Sequence, residues 1–255
     1  MPIPDPIPFL LVLARVAGLV LAAPLFGHLL VPLRVRIGLA VLLTVALVPV
    51  VPPPVALPTS LWGLGGAVAA ESALGALMGF VAQLVFAGAQ LGGQLAGIQM
   101  GFGMANLIDP QAHAQVTVVA EWQSLITLLV FVLLDGHHLL IRAMIESLRV
   151  APAGALVLAP TALRDAVGLA GDVFATGVRL AAPVLIVLLL TNAAMGVLAR
   201  TIPQLNVFVV GFPVNVGVGL LVTGAALPFA VRFLGARFTA LEPTLGALVR
   251  GLTHG

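Results

Sequence analysis

The 255-residue chain contains no cysteine, no tyrosine and no lysine. Without cysteine it can form neither disulfide bonds nor thiolate metal sites, and it has no cysteine nucleophile. Charged residues make up only 8% of the chain, whereas soluble domains average about 25%. Hydrophobic residues make up 61%, and the mean hydropathy is +1.20. Too few polar side chains are available to cover a soluble protein, so we predict an integral membrane protein.

Two classes of ligand are also disfavoured by what the chain lacks. No GxxxxGK[ST] motif is present, so the sequence offers no phosphate-binding loop for a nucleotide. The pI of about 11.0 reflects arginine without lysine or tyrosine, and the net charge is only +2. No dense basic cluster of the kind that binds nucleic acid is found. We therefore predict no nucleotide, no other cofactor and no nucleic-acid partner.

Apolar runs predict about six long helices in hairpins, joined by amphipathic connecting helices. The six runs are Phe9–Phe26, Ile37–Val51, Leu61–Ala89, Thr117–Leu134, Leu180–Ala199 and Val207–Val231. The second run has 15 residues, fewer than the roughly 20 that a helix needs to cross a bilayer. This short run indicates that the chain packs in an assembly or crosses a locally thinned membrane.

Three charged residues fall within the apolar runs, and we take Arg15, Glu71 and Glu121 as candidates for buried charges. An ionisable group inside a membrane segment is costly and often functional. Arg15 either faces other protein or extends to the membrane surface. Glu71 either belongs to a functional site or is paired with an arginine, for which Arg15 and Arg179 are candidates.

The longest interruption of the apolar pattern is the stretch from Gln90 to Gln115. It contains five glycines, two methionines and several amides, but no arginine. We predict that residues 90–99 continue the preceding helix, because Gln83, Gln90 and Gln94 then lie on one face. The sequence GFG at 101–103 predicts a break. This composition suits a protected environment within the protein or its assembly that is neither lipid nor bulk water.

Residues 135–150 predict an amphipathic helix that begins with the pair His137–His138. Two adjacent histidines invite a metal-binding interpretation. Adjacent side chains point apart on a helix, and no further ligand set is evident in the sequence. We therefore favour polar capping or interface roles for the two histidines, and we predict no metal site.

Three motifs carry a family resemblance: GIQMGFGMANLIDP at 97–110, DGHHLLI at 135–141 and IPQLNVFVVGFPVNVGVGL at 202–220. The chain resembles the FliR family of the bacterial flagellar type III export gate from the turn at 31–40 to about Phe233. The motif at 202–220 is the most specific of the three. Its beginning is shared with the related injectisome subunit, whereas the GFP that follows favours the flagellar version.

The resemblance implies an all-helical fold in which residues 1–178 form a FliP-like part and residues 179–255 a FliQ-like hairpin with a tail. It implies that one copy assembles with several copies of FliP and FliQ in the bacterial inner membrane, within the flagellar basal body. FlhB would lie around the entrance and FlhA nearby. The assembly would pass unfolded flagellar proteins across the membrane.

The resemblance also implies two functional segments. The first is a plug that fills the closed channel, with methionine-rich FliP partners as the seat for Met100, Phe102 and Met104. The plug residues are Met100, Gly101, Phe102, Gly103, Met104, Asn106, Asp109 and Pro110. The second is an entrance loop for the FlhB contact, formed by Arg200, Pro203, Gln204 and Asn206.

Three alternatives stay open at this point. The chain could be the equivalent subunit of a virulence injectisome. It could be a secondary transporter that uses Glu71, Glu121 and Arg179 as a coupling site, although no inverted repeat is evident. It could be an intramembrane enzyme, but Ser124 lies at the opposite end of a span from His137–His138, so no nucleophile and base are recognisable.

Overall fold

The fold is described from a computed structural model. It covers most of the chain, and the described residues are 6–24, 31–53, 60–103, 117–154, 161–202 and 206–253. Within these ranges the chain is all-helical, as predicted. The helices are α1 (Pro6–Ala22), α2 (Leu33–Leu47), α3 (Leu61–Met100), α4 (Val118–Leu133), α5 (Gly136–Val150), α6 (Thr161–Thr201), α7 (Val207–Ala225), α8 (Leu227–Thr239) and α9 (Leu241–Thr253).

The helices form two compact units. The first contains residues 1–84, 131–170 and 237–255, and the second contains residues 85–130 and 171–236. Helix α3 contributes its first part to one unit and its last part to the other. Small residues on α3 therefore make close contacts in both units.

In the first unit, glycines bring α1 and α3 into backbone contact. A methyl group at Gly18 would overlap the carbonyl oxygen of Ser72, and one at Gly75 would overlap the carbonyl oxygen of Arg15. Such close approach is typical of helix pairs in membranes, where small residues let two backbones meet. The contact brings Arg15 and Glu71 to the same helix interface.

In the second unit, the last turns of α3 pack against α4 and α6, again through glycines. A Cβ at Gly93 would lie 2.5 Å from the Cα of Ala120, and one at Gly92 would lie 2.9 Å from the carbonyl oxygen of Gly177. The apolar core of this unit contains Met100 among buried valine, alanine and leucine side chains. The predicted continuation of the helix through residues 90–99 is confirmed.

The helix breaks follow glycine and proline. Helix α3 ends where predicted, at Gly101, whose φ of +102° is readily adopted only by glycine. The predicted span Val207–Val231 is not one straight helix, because Val209–Ala225 and Leu227–Gly251 are bent by 54° relative to each other. Pro228 lies in the first turn of α8 and has no N–H to continue the hydrogen bonds of α7, which accounts for the break.

By length and composition, α3 and residues 171–201 of α6 could each cross a membrane. Two bent pairs, α4 with α5 and α7 with α8 and α9, bring the number to four if each pair is one span. This count covers only the described part of the chain. The arrangement of six long helices in hairpins stays a prediction.

Candidate functional site

The first candidate site is a buried ion pair in the first unit. The Nε of Arg15 donates a hydrogen bond to Oε2 of Glu71 at 2.5 Å, and both side chains are completely buried. Glu71 is therefore paired with one of the two arginines considered from sequence. The other, Arg179, is exposed.

Two further groups complete the Glu71 cluster, which we define as Arg15, Glu71, Ser147 and Gly154. The backbone N–H of Gly154 donates to Oε1 of Glu71 at 2.9 Å, and Nη1 of Arg15 donates to Oγ of Ser147 at 3.0 Å. Both carboxylate oxygens of Glu71 are thus occupied. The cluster joins α1, α3, α5 and the turn after α5, which indicates a structural role.

Glu121 was expected to be a buried charge, and this expectation is wrong. Glu121 is exposed in the first turn of α4. A carboxylate at this position faces the positive end of the helix dipole and can stay hydrated. A transporter coupling site made of Glu71, Glu121 and Arg179 is therefore not supported.

The described part of the predicted plug is Met100 to Gly103, at the end of α3. Met100 is completely buried, and its side chain packs against Gly219 of α7. It therefore belongs to the core of this chain and is not a free side chain for a partner, in contrast to the seat we expected. The ring of Phe102 meets Phe212 edge to face, with centroids 6.5 Å apart. Met104, Asn106, Asp109 and Pro110 lie outside the described residues.

The residue that follows the undescribed part of the plug region is held against α3. The backbone N–H of Thr117 donates to Oε1 of Gln94 at 3.0 Å, and Oγ of Thr117 donates to the carbonyl oxygen of Gly93 at 3.4 Å. Gly97 leaves room for the Thr117 side chain. The described residues on either side of 104–116 therefore both lie near the end of α3: Gly103 comes three residues after Met100, and Thr117 contacts the last turns of the helix. The spacing of Gln83, Gln90 and Gln94 predicted a common face for Gln94, but no pattern in the sequence identified Thr117.

Two residues of the predicted entrance loop are described, and both are exposed: Arg200 near the end of α6 and Asn206 before α7. Oδ1 of Asn206 accepts a hydrogen bond from the backbone N–H of Val209 at 3.4 Å, which is the position of a helix N-cap. Pro203 and Gln204 lie outside the described residues.

The turn before α5 differs from the sequence-based expectation. The rings of His137 and His138 do not point apart, because their centroids are 4.2 Å apart. Nδ1 of His138 lies 3.3 Å from Oδ1 of Asp135. In the first turn of a helix, rotation about the side-chain bonds is enough to bring two adjacent rings together. Helix geometry therefore does not keep the two imidazole rings apart at this turn, contrary to our expectation from the sequence.

Ser124, the nucleophile considered for an intramembrane enzyme, donates a hydrogen bond to the carbonyl oxygen of Ala120 at 2.9 Å. This bond within one helix is the usual way in which a serine in an apolar helix satisfies its hydroxyl group. The contact gives no sign of activation by a base. The enzyme alternative therefore gains no support from this residue.

The all-helical fold, with two described helices that are long and apolar enough to cross a membrane, indicates a membrane-associated helical protein. Comparison with known proteins narrows the class, because the model of the family "Bacterial export proteins, family 1" matches residues 7–241. The chain belongs to this family and is related throughout to the flagellar biosynthetic protein FliR.

Three relatives show how far the similarity extends, and each is described as flagellar biosynthetic protein FliR. The Escherichia coli K12 protein is 32% identical over 240 residues, which cover 94% of this chain and 92% of the relative. The Pectobacterium carotovorum protein is 32% identical over 242 residues, with coverage of 94% and 91%. The Bacillus subtilis 168 protein is 33% identical over 216 residues, with coverage of 84% and 83%.

Proposed function

We propose that this chain is a subunit of the flagellar type III export gate in the bacterial inner membrane. In this proposal it assembles with FliP and FliQ homologues into the channel that passes unfolded flagellar proteins. FlhB contacts the entrance and FlhA lies nearby, in the basal body. The flagellar description of the relatives favours this system over a virulence injectisome.

The length of α3 is the strongest structural support for the proposal. Its 40 residues contain Glu71 as the single charged side chain, and at 1.5 Å per residue they span about 60 Å. The hydrocarbon core of a bilayer is only about 30 Å thick. An apolar helix twice as long as the membrane core needs protein neighbours to cover the part that extends beyond lipid.

Helix α2 supports the same conclusion, in this case because the helix is too short rather than too long. It has 15 residues, about 22 Å at the same rise per residue, which is too short to span the membrane core. Nevertheless it exposes large apolar side chains, including Ile37 at 55%, Leu42 at 68% and Val45 at 59%. A contiguous apolar face on such a short helix is typical of a protein–protein interface.

The proposed roles of two segments follow from this assembly. Residues 101–110 act as the plug that closes the channel to ions and moves aside for a polypeptide. Glycines allow movement of the backbone, and the absence of arginine and lysine avoids a fixed positive charge in the pore. Arg200, Pro203, Gln204 and Asn206 form the entrance contact with FlhB. Residues 1–178 act as the FliP-like part and residues 179–255 as the FliQ-like part.

Co-purification tests the assembly. An affinity-tagged chain co-expressed with the FliP and FliQ homologues of its own organism should bring both down, and native mass measurement should give one copy of this chain per complex. Leu42→Glu should reduce recovery of both partners, because it places a charge on the α2 interface. Leu42→Met is the matched control, since it keeps an apolar side chain at the same exposed position of α2. A stable monomer that binds neither partner would refute the assembly.

Ion leakage tests the plug separately. Removal of residues 101–110 should increase ion conductance of membranes containing the complex, because the closed channel loses its seal. Mass measurement of the same sample shows whether the complex is still intact. An intact complex whose conductance equals that of the unmodified complex would exclude a sealing role while leaving the assembly proposal standing.

A further inference from the structure

The turn between α4 and α5 places three metal-binding side chains together. Asp135 has a φ of +53°, and it is the only non-glycine residue with positive φ among the described residues. Aspartate is a favoured helix N-cap, yet the side chain of Asp135 makes no capping hydrogen bond to α5. Its carboxylate lies instead against the imidazole of His138, with Oδ1 3.3 Å from Nδ1.

The second imidazole completes the group. The ring centroids of His137 and His138 are 4.2 Å apart. One ligand atom from each of Asp135, His137 and His138 can be chosen so that all three lie within 4.8 Å of one another. We propose that these three side chains form a binding site for a divalent transition metal, with Zn²⁺ as the preferred ion.

The spacing of the donor atoms agrees with this ion. Zn²⁺ holds nitrogen and oxygen ligands at about 2.0–2.2 Å in a tetrahedron, so neighbouring ligand atoms are about 3.3–3.5 Å apart. The pair Asp135–His138 already has this separation. His137 needs to approach by about 1.5 Å at most, which rotation of its side chain can supply. Three protein ligands leave a fourth position for water.

The donor set selects the class of metal. Imidazole nitrogen suits Zn²⁺, Ni²⁺ and Cu²⁺, whereas Ca²⁺ and Mg²⁺ prefer an all-oxygen shell. Asp135 and His138 have side chains that are 72% and 58% exposed, so an ion from solution can reach them. Neither residue belongs to the Glu71 cluster.

Metal binding at this turn would hold Asp135 against the first turn of α5. Helices α4 and α5 meet at 62°, and Asp135 lies at the bend while both histidines lie in the first turn of α5. An ion shared by the three side chains would connect the bend to the helix that follows it. The inferred consequence is a turn at residues 135–138 that is more rigid with Zn²⁺ than without it. This inference does not depend on the proposed export function.

Calorimetric titration of the full-length chain in detergent tests the site. The protein should carry a tag without histidine and should be stripped with EDTA before ZnCl₂ is added. We expect saturable binding of one Zn²⁺ per chain and no saturable binding of CaCl₂. The double variant His137→Gln/His138→Gln should bind Zn²⁺ at least tenfold more weakly, and Asp135→Asn should also bind it more weakly.

The control variant is His28→Gln, which removes one imidazole elsewhere in the sequence and should leave Zn²⁺ binding unchanged. Absorption spectroscopy of the unmodified chain with Co²⁺ in place of Zn²⁺ gives a second test that needs no variant. The intense visible bands of tetrahedral Co²⁺ are expected at one equivalent. Absence of saturable Zn²⁺ binding, or equal binding by the unmodified chain and the double variant, would overturn the proposal.

Discussion

Replacement of Glu71 by leucine should strongly destabilise the protein, because it leaves the guanidinium group of Arg15 buried without its charged partner. Both side chains are completely buried and are joined at 2.5 Å. Removal of one member of such a pair costs about 3–5 kcal/mol. Gly154 also loses the acceptor for its backbone N–H, which adds to the cost.

The expected shift of the unfolding temperature follows from the chain length. For 150–250 residues, 1 kcal/mol corresponds to about 2–4 °C, so Glu71→Leu should lower the midpoint by about 6–20 °C. The measurement is the fraction of full-length protein that elutes as a single peak from a sizing column after heating in detergent. Glu121→Leu is the matched control, since this carboxylate is exposed and contributes at most about 1 kcal/mol through the helix dipole.

A double variant separates the charge from the packing. Arg15→Met combined with Glu71→Leu removes both charges and keeps apolar volume at the α1–α3 interface. Exchange of a buried ion pair for apolar residues is often neutral or stabilising, although Ser147 and Gly154 lose their partners at about 1 kcal/mol each. The double variant should therefore be at least about 2 kcal/mol more stable than Glu71→Leu alone. Equal stability of the two, or a loss below about 1 kcal/mol for Glu71→Leu, would refute the reasoning.

Two glycine pairs and one hydrogen bond give further expected outcomes by the same thermal assay. Gly75→Ala should destabilise the protein by about 1–3 kcal/mol, because its methyl group would overlap the backbone of α1. Gly66 has open space around it, so the control Gly66→Ala should leave the stability unchanged or slightly raise it. Gly101→Ala should cost about 1–2 kcal/mol because of the positive φ, whereas Gly103→Ala makes only ordinary contacts and should change little. Ser147→Ala should cost about 1.5–3 kcal/mol, because Nη1 of Arg15 loses its acceptor; a loss near zero would contradict the assigned bond.

Local signals in the sequence were sufficient to predict much of α3 and its surroundings. The apolar run, the amides on one face and the GFG sequence predicted a helix that continues to residue 99 and breaks at Gly101, as observed. An arginine and a glutamate in separate apolar runs were also a reason to consider a buried pair. These inferences succeed because they depend on the period of a helix, on glycine chemistry and on the cost of charge in an apolar setting.

Contacts between distant residues were not predictable from one sequence. Ser147 lies 132 positions from Arg15, and Gly154 lies 83 positions from Glu71. Neither has a local pattern that identifies its partner. Glu121 was misplaced because its position in an apolar run was given more weight than its position in the first turn of a helix. The close approach of His137 and His138 was missed because spacing along a helix describes directions from the axis and does not include rotation of the side chains.

The attachment of segment 104–116 bears on how a plug could work in the proposed gate. Its preceding neighbour, Gly103, lies three residues after the end of α3, and Thr117 is bonded to Gln94 and Gly93 of the same helix. Because both attachments involve one helix, the distance between them does not change when α3 moves as a rigid element. The entropy cost of closing a chain segment grows slowly with its number of residues, and the contacts of Thr117 with α3 meet that cost when the protein folds.

In the proposed gate, deletion of residues 101–110 and substitution of Thr117 should have different consequences, because Thr117 lies outside the proposed plug and contacts α3. Deletion of the proposed plug should increase ion leakage fully. Thr117→Val removes the hydroxyl hydrogen bond to the carbonyl oxygen of Gly93 and the bond that the hydroxyl accepts from the backbone N–H of Ala120, and it keeps the backbone bond to Gln94. Ion leakage should therefore increase only partially. Leakage as large as that of the deletion would show that the hydroxyl group alone holds the segment, and unchanged leakage would show that the attachment at Thr117 does not depend on it.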